Sequence, residues 1–199
     1  MARALGLGAG AYTLDAACAS SLYSIKLACD ELRAGRADAM LAGGVSRPDC
    51  LYTQMGFTQL RALSKSGRCS PFDAAGDGLL VGEGAGIVML KRMADAERDG
   101  DRIYGVIRGI GLSNDIGGSL IAPDSEGQLR AMREAYRAAG WRPDAVDYVE
   151  CHGTGTGVRR WPHRRDAGAT SHATSRIPGF GADCDCRNGC AIRQRRVTR

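Results

Sequence analysis

Hydrophobic positions recur at two different periods between Ala11 and Cys151. Apolar residues three or four apart predict helices over residues 20–34, 94–98 and 125–139. Short apolar runs predict buried strands over residues 39–45, 86–90, 103–112 and 146–151. Strands that alternate with helices in this way indicate an α/β fold with a layered sheet.

The pattern ends near Gly157. Residues 157–199 show neither a helical stripe nor a strand alternation, and Arg, Gly, Pro, Ser and Thr dominate them. This composition predicts an unstructured tail. The tail holds ten arginines against three aspartates, so the net charge of +5 becomes −2 over the rest of the chain. Nucleic-acid-binding domains carry basic charge on folded elements, so no nucleic-acid partner is predicted.

Composition is that of an ordinary globular protein. The 199 residues are 44% apolar and 25% charged, which suits one domain with its own core. No apolar run approaches the ~18 residues of a membrane span, and the N-terminus lacks a signal-peptide pattern. We therefore expect a cytoplasmic protein without a membrane partner, whose eight scattered cysteines are mostly reduced.

Cys18 lies among small residues directly before the first predicted helix, in a stretch that reads DAACASSL over residues 15–22. A nucleophile at a tight turn into a helix needs small neighbours, because bulky ones block the substrate. The free N–H groups and positive dipole end of a helix N-terminus also stabilise a thiolate. Cys18 is therefore a candidate nucleophile, and the alternative is a buried, inert cysteine.

His152 follows a predicted strand and opens a glycine-rich turn that reads HGTGT over residues 152–156. Polar groups at the carboxyl ends of strands commonly form active sites in α/β proteins. An imidazole there can donate a hydrogen bond or move a proton near neutral pH. Two of the three histidines lie in the tail, so His152 is the natural partner for Cys18. The alternative is a histidine that holds a loop.

Glycines are concentrated in a block over residues 71–86. The block precedes a predicted strand rather than a helix, so it fails the dinucleotide-binding fingerprint. We interpret it as architecture around a site, with Asp73, Asp77 and Glu83 in structural rather than catalytic roles.

A candidate zinc site lies in the tail. Its potential ligands are Cys184, Cys186 and Cys190, with His172 upstream. Their spacing matches no closed zinc-site pattern, so no metal is predicted.

The three motifs, taken together and in this order, resemble the β-ketoacyl synthase family of the thiolase-like superfamily. The match runs from about Leu5 to Thr156. Residues 15–22 are similar to the nucleophile motif, 71–86 to the central glycine-rich block and 152–156 to the first catalytic-histidine motif. Residues 49–57 and 111–118 are most similar to type I modular polyketide synthases and polyunsaturated-fatty-acid synthases.

The resemblance implies a thiolase-like, layered α-β-α-β-α fold of which this chain carries the middle portion. The end of the N-terminal half is expected over about residues 1–80. The start of the C-terminal half is expected over about residues 81–156.

The resemblance also implies a decarboxylative Claisen condensation in polyketide or fatty-acid biosynthesis. Cys18 is expected to take an acyl group from an acyl carrier protein, and a malonyl-type extender on a second phosphopantetheine arm then loses CO₂. His152 is expected to stabilise the resulting enolate by a hydrogen bond to the extender carbonyl. The Cys18 backbone N–H is expected to supply part of an oxyanion hole. The family further implies a homodimer and no bound cofactor or metal.

The chain departs from the family after Thr156, where the family continues with Pro, a small residue, Gly and Asp. Here residues 157–161 read GVRRW, and the family's lysine and second histidine motifs have no match downstream. We hypothesise that residues 157–199 are an out-of-frame translation; the alternative is a natural divergent tail. By itself this chain is expected to acylate at Cys18 but not to condense.

Two other functions stay open at this point. One is a Cys–His acyl hydrolase or transferase without condensation, which needs a third group to orient His152. The other is a non-catalytic fragment that keeps only partner contacts.

Overall fold

The computed structural model describes residues 2–47, 51–71, 73, 75–117, 125–150 and 152–155. The chain divides into two compact units, one of residues 1–50 and 82–107 and one of residues 51–81 and 108–199. The predicted unstructured tail at 157–199 lies outside the described residues. The elements are the helices α1 (Ser20–Arg33), α2 (Leu51–Gln59), α3 (Met93–Arg98) and α4 (Ser125–Ala139), the strands β1 (Ala39–Ser46) and β2 (Gly84–Lys91), and 3₁₀ turns at Arg3–Leu5, Ala17–Ala19 and Pro143–Ala145.

The first unit is built on β1 and β2, which pair antiparallel. Their register places Ala39 opposite Lys91 and Ser46 opposite Gly84, so all eight residues of each strand take part in the pairing. In chain order α1 leads into β1, and β2 leads into α3. The predicted helices at 20–34, 94–98 and 125–139 and the predicted strands at 39–45 and 86–90 are thus confirmed.

Helix α1 packs closely on β1 at Gly43 and Gly44, where Gly44 places no side chain against the helix. The Gly43 N–H donates to the Ser24 hydroxyl at 3.0 Å, and that hydroxyl donates to the Gly43 carbonyl oxygen at 2.8 Å. A Cβ added at Gly44 would lie 3.0 Å from the Cβ of Ser21. The contact fixes the direction of α1 and so the place of its N-terminus. The buried side chains of this unit are small or aliphatic, namely Ala28, Leu32, Ala37, Ala42 and Ala96.

Arg92, directly after β2, holds the C-terminal end of α1. Its Nη1 donates to the carbonyl oxygens of Leu32 at 2.8 Å and Ala37 at 2.7 Å. Its Nη2 donates to Asp38 at 2.8 Å and its Nε to Asp95 at 2.5 Å. The last carbonyls of a helix have no partner within the helix, and a cation there is favourable. This one side chain therefore joins α1, the loop before β1, and α3.

In the second unit, the segment around Gly109 and Gly111 lies directly on the backbone of α4. A Cβ at Gly109 would lie 2.2 Å from the Ala135 carbonyl oxygen, and one at Gly111 would lie 1.9 Å from the Ala131 carbonyl oxygen. Two residues of an extended chain span about 6.6 Å, and four residues of a helix rise about 6.0 Å. Glycines two residues apart in the segment therefore contact helix residues that are four apart, Ala135 and Ala131.

The same contact continues toward the N-terminus of α4. The Ser113 hydroxyl donates to the Gly127 carbonyl oxygen. Arg130 donates through Nη2 to the Asn114 carbonyl oxygen at 2.6 Å and through Nε to Glu126 at 2.5 Å. The segment and the helix therefore run antiparallel in contact from Ala135 to Gly127.

The predictions of strands at 103–112 and 146–151 are wrong for the residues that the structure describes. Residues 103–112 and 146–150 form no strand, and residue 151 lies outside the described residues. Their apolar pattern is that of a strand, but a strand also needs a ladder of backbone hydrogen bonds. For residues 103–112, no described strand supplies such a ladder, since the described sheet holds only β1 and β2.

Helix α2 was not predicted from the sequence. Its larger apolar residues, among them Leu51, Met55 and Phe57, are distributed around the helix instead of along one face. A stripe with helical periodicity, the signal on which such predictions depend, is therefore missing.

Candidate active site

Cys18 occupies the centre of the 3₁₀ turn Ala17–Ala19, and α1 begins at the next residue, Ser20. Its thiol is free and exposed. The small neighbours Ala16, Ala17 and Ala19 leave the approach to the sulfur open, as the sequence pattern indicates. The alternative of a buried, inert cysteine does not fit this exposed position.

The turn is held in place by the side chains on either side of Cys18. Asp15 Oδ1 accepts from the Ala17 N–H at 2.8 Å. The Ser20 hydroxyl accepts from the Ala16 N–H at 2.9 Å and donates to the Ala17 carbonyl oxygen at 2.7 Å. Ala17 has a φ of 50°, a left-handed conformation that is uncommon for a residue with a Cβ. Such strain persists only where the surroundings impose it, and it is concentrated at functional sites.

One backbone N–H in this turn is left available. Ala16 and Ala17 donate to side chains, while the N–H groups of Ala19 and Ser20 donate to the carbonyl oxygens of Ala16 and Ala17. In the described part of the chain, the N–H of Cys18 has no acceptor. The turn thus presents an exposed thiol and a free N–H donor from the same residue.

Asp15 and Ser20 were not predicted as site residues, although both belong to the motif at 15–22. A recognisable signal was present. Asp accepts from the backbone N–H two residues on in an Asx turn, and serine bonds neighbouring backbone groups near helix N-termini.

His152 is exposed and stands directly before Gly153, whose φ is 48°. Gly155 is also left-handed, with a φ of 68°. The Gly155 carbonyl oxygen accepts from the Gly78 N–H at 3.1 Å. Within the described residues no side chain hydrogen-bonds the imidazole, so its backbone turn fixes its place.

The acidic residues of the glycine-rich block have unequal surroundings. Asp77 Oδ1 accepts from the Ser64 hydroxyl at 2.5 Å, and Oδ2 accepts from the Ser66 N–H at 2.8 Å. The hydrogen bond from Ser64, followed by that from the Ser66 backbone, holds the pKa of Asp77 below its ordinary value. Among the described residues, the Asp73 carboxylate accepts only from the nearby Ala75 N–H, at 2.9 Å. Asp77 therefore holds the loop at Ser64 and Ser66, in agreement with the structural role that the sequence predicts for it.

The other described cysteines differ from Cys18. Cys69 is exposed but lies in a loop, while Cys29 lies within α1 and is partly buried. Burial raises the pKa of the Cys29 thiol. Neither cysteine stands at the start of a helix.

Cys18 belongs to the first unit and His152 to the second, and each is described within its own unit. Their pairing in one site therefore stays a prediction.

Metal-ligating side chains are not clustered in the described ranges, where no three His, Cys, Asp or Glu residues are grouped to hold a metal ion. The tail candidates Cys184, Cys186, Cys190 and His172 lie outside those ranges. No helix in the described part of the chain has the length and apolar character needed to cross a membrane.

Comparison with known proteins identifies the class. Residues 1–96 match the family model for the N-terminal domain of β-ketoacyl synthases, and residues 104–159 match the model for the C-terminal domain. The chain belongs to the β-ketoacyl synthase family, an enzyme family of the acyltransferase type.

Curated and solved relatives agree with this assignment. A phenolphthiocerol/phthiocerol polyketide synthase of Mycobacterium tuberculosis is 46% identical over 156 residues, which is 76% of this chain and 10% of that protein. The PfaC keto synthase–chain length factor is 50% identical, with a TM-score of 0.75 over 78% of this chain and 17% of that one. A chain in the solved complex of a type II polyketide synthase acyl-carrier protein with its ketosynthase is 30% identical to this chain, with a TM-score of 0.73. The match covers 78% of this chain and 40% of that one.

These likenesses confirm the predicted thiolase-like α/β fold. The chain spans about a tenth of the length of the curated relatives it matches. The predicted division of the chain near residue 80 and the out-of-frame hypothesis for residues 157–199 stay predictions.

Proposed function

We propose that this chain carries the central portion of a ketosynthase that performs decarboxylative Claisen condensation, with Cys18 as the acyl-accepting nucleophile and His152 as the enolate-stabilising group. The observation that carries the proposal is the turn at the start of α1. It exposes the thiol of Cys18 and leaves the N–H of the same residue without an acceptor among the described residues.

The first step is transfer of an acyl group. The Cys18 thiolate attacks the carbonyl carbon of an acyl thioester on the phosphopantetheine arm of a carrier protein. The developing oxyanion accepts a hydrogen bond from the Cys18 N–H, and the positive end of α1 favours this negative charge. The carbon–sulfur bond to phosphopantetheine then breaks. That thiolate leaves and takes up a proton, and the acyl group stays on Sγ.

The second step forms the carbon–carbon bond. A malonyl-type thioester loses CO₂, and the electrons of the broken bond become an enolate. His152 donates a hydrogen bond to the enolate oxygen, which stabilises charge that develops only as CO₂ departs. The enolate carbon attacks the acyl–Cys18 carbonyl, and the Cys18 thiolate leaves.

The proposed partner is an acyl carrier protein, which delivers both thioesters on phosphopantetheine arms. One support is the similar ketosynthase whose structure is a complex with an acyl-carrier protein. We further propose that the intact domain is a homodimer, and sedimentation of that intact domain over a concentration series tests this.

The experiment that tests the proposal is acylation of the full chain by an acyl carrier protein loaded with an acyl thioester. We expect intact mass to rise by one acyl group and peptide mapping to place it on Cys18. Cys18→Ala should abolish the label, while Cys69→Ala, which removes the other exposed cysteine described, should retain it. Equal labelling of wild type and Cys18→Ala would contradict the proposal.

The same reaction discriminates between the other functions. Steady release of free acid, dependent on Cys18 and without any condensed product, would identify a hydrolase. That function needs a group that orients His152, and no side chain in the described part bonds its imidazole. Absence of any acyl transfer to the chain would identify a non-catalytic fragment.

A further inference from the structure

The backbone that carries His152 is connected to a carboxylate far from it in sequence. Asp77 binds the loop at Ser64 and Ser66, with Oδ1 accepting from both hydroxyls, at 2.5 Å and 3.1 Å, and Oδ2 accepting from the Ser66 N–H at 2.8 Å. A carboxylate that accepts several hydrogen bonds holds its own backbone firmly relative to the donors. Asp77 is therefore fixed to residues 64–66 at both oxygens.

Gly78, the next residue, passes this constraint to the turn at Gly155. Its N–H donates to the Gly155 carbonyl oxygen at 3.1 Å. A Cβ at Gly78 would lie 2.4 Å from both the Leu63 carbonyl carbon and the Ser64 nitrogen, so the two segments are in direct backbone contact. Gly78 is thus fixed on one side by residues 63–64, and it bonds Gly155, which also lies against Ser70 and Pro71.

Backbone pairing on the far side of Gly78 continues the same contact. The Leu79 N–H donates to the Ala62 carbonyl oxygen at 2.8 Å, and the Ser64 N–H donates to the Leu79 carbonyl oxygen at 2.9 Å. Leu63 and Leu79 form a parallel bridge. Residues 62–64 and 77–79 therefore move as one body, to which Gly155 is bonded.

His152 depends on this body because its own side chain has no hydrogen bond among the described residues. Two residues separate it from Gly155, and the left-handed conformations of Gly153 and Gly155 turn the chain sharply. Displacing the Gly155 carbonyl therefore redirects the short turn that bears the imidazole.

We propose that Asp77 is a positioning residue for His152, acting through Gly78 and Gly155. The inference rests on the proposed function for the catalytic importance of His152, but not for the structural coupling itself. Asp73 offers a control of the same charge in the same block, because among the described residues its carboxylate accepts only from the Ala75 N–H, two residues away.

The test uses the full 199-residue chain and compares Asp77→Asn with Asp73→Asn at pH 7. Nuclear magnetic resonance follows hydrogen exchange of the Gly78 amide and the ring signals of His152, which are assigned with a His152→Gln variant. We expect Asp77→Asn to speed Gly78 exchange about tenfold or more and to shift the His152 ring signals. Asp73→Asn should leave both as in wild type.

A kinetic readout separates positioning from general loosening. CO₂ release from a malonyl thioester, corrected for the His152→Gln background, should fall about tenfold or more in Asp77→Asn, since small misplacements of a catalytic group are costly. Acylation of Cys18 should stay within about twofold, because the described hydrogen bonds of the Asp77 carboxylate go to residues 64–66 and not to the turn that carries Cys18. Loss of both activities together would overturn the positioning role.

Each remaining outcome is also decisive. If Asp77→Asn fails to fold by circular dichroism, Ser64→Ala removes a donor to the same carboxylate without changing charge, and it should move the same signals in the same direction. Unmoved His152 signals in that variant would overturn the inference. If the signals move but the wild type neither acylates Cys18 nor releases CO₂, the coupling stands and the proposed function fails.

Discussion

The contact between Gly111 and α4 predicts a large cost for the smallest possible substitution. A Cβ at Gly111 would lie 1.9 Å from the Ala131 carbonyl oxygen and 2.7 Å from the Ala135 nitrogen, both backbone atoms of a helix. Restoring ordinary contact needs a shift of about 1.5 Å, and a helix backbone moves only as a whole. We expect Gly111→Ala to destabilise the protein by about 3 kcal/mol, the upper end for overpacking.

Gly105 supplies the matched control. A Cβ there meets nothing within 4 Å, and its φ is not in the left-handed region, so Gly105→Ala restricts only the unfolded chain. We expect that variant to be neutral or more stable by about 0.5 kcal/mol.

Urea unfolding measures the difference. Trp141, two residues after α4, reports on the helix by fluorescence, and Trp161→Phe removes the only other tryptophan. A loss of about 3 kcal/mol lowers the urea midpoint by about 1–2 M at ordinary m-values. Equal midpoints for Gly111→Ala and Gly105→Ala would refute the proposed contact with α4.

Three further predictions concern charge and thiol reactivity. Arg92→Lys should lower the urea midpoint, since lysine cannot bond two carbonyls and two carboxylates at once. Arg98→Lys, at a side chain that is mostly exposed, should lower the midpoint less, and equal losses would contradict the role of Arg92. Hydrogen bonds from Arg98 and then Arg92 lower the pKa of Asp95, so its contribution to stability is complete above the unfolded pKa of about 3.9 and is lost as pH falls through the lower folded value. Asp95→Asn should therefore show a smaller loss of stability between pH 5 and pH 2 in thermal scans, and an unchanged acid loss would exclude the effect. At pH 8, iodoacetamide should modify Cys29 more slowly than Cys69, because burial raises the pKa of the Cys29 thiol. Mass spectrometry of the two peptides measures the rates, and faster modification of Cys29 would contradict the prediction.

Much of the fold could be predicted because its elements have strong local signals. The stripe along residues 125–139 and the buried run at 39–45 each specify an element without reference to the rest of the chain. By contrast, the segment at 103–112 has the pattern of a strand, but no described strand pairs with it, and no local pattern reveals the absence of a partner. The contact of its glycines at 109 and 111 with a helix is likewise invisible in the local pattern.

The candidate site could also be predicted only where the signal is local in sequence. Cys18 and His152 could be proposed from the sequence because residue type and flanking sequence indicate their chemistry. Asp77 was found only as a structural residue, since its contact with Gly155 through Gly78 joins segments about 80 residues apart. The N–H groups on either side of the available Cys18 N–H are all bonded. Those of Ala16 and Ala17 are bonded only because the side chains of Ser20 and Asp15 adopt one arrangement, which the sequence does not specify.

The alternation of Gly109 and Gly111 with bulkier residues also fixes the register of this segment on α4. Ile110 and Leu112 stand between and beyond the two glycines. A slip of one residue would press a branched side chain against the backbone of α4, where even a methyl group has no room. Steric overlap therefore disfavours the shifted register during folding, and the segment can pack on α4 in only one register.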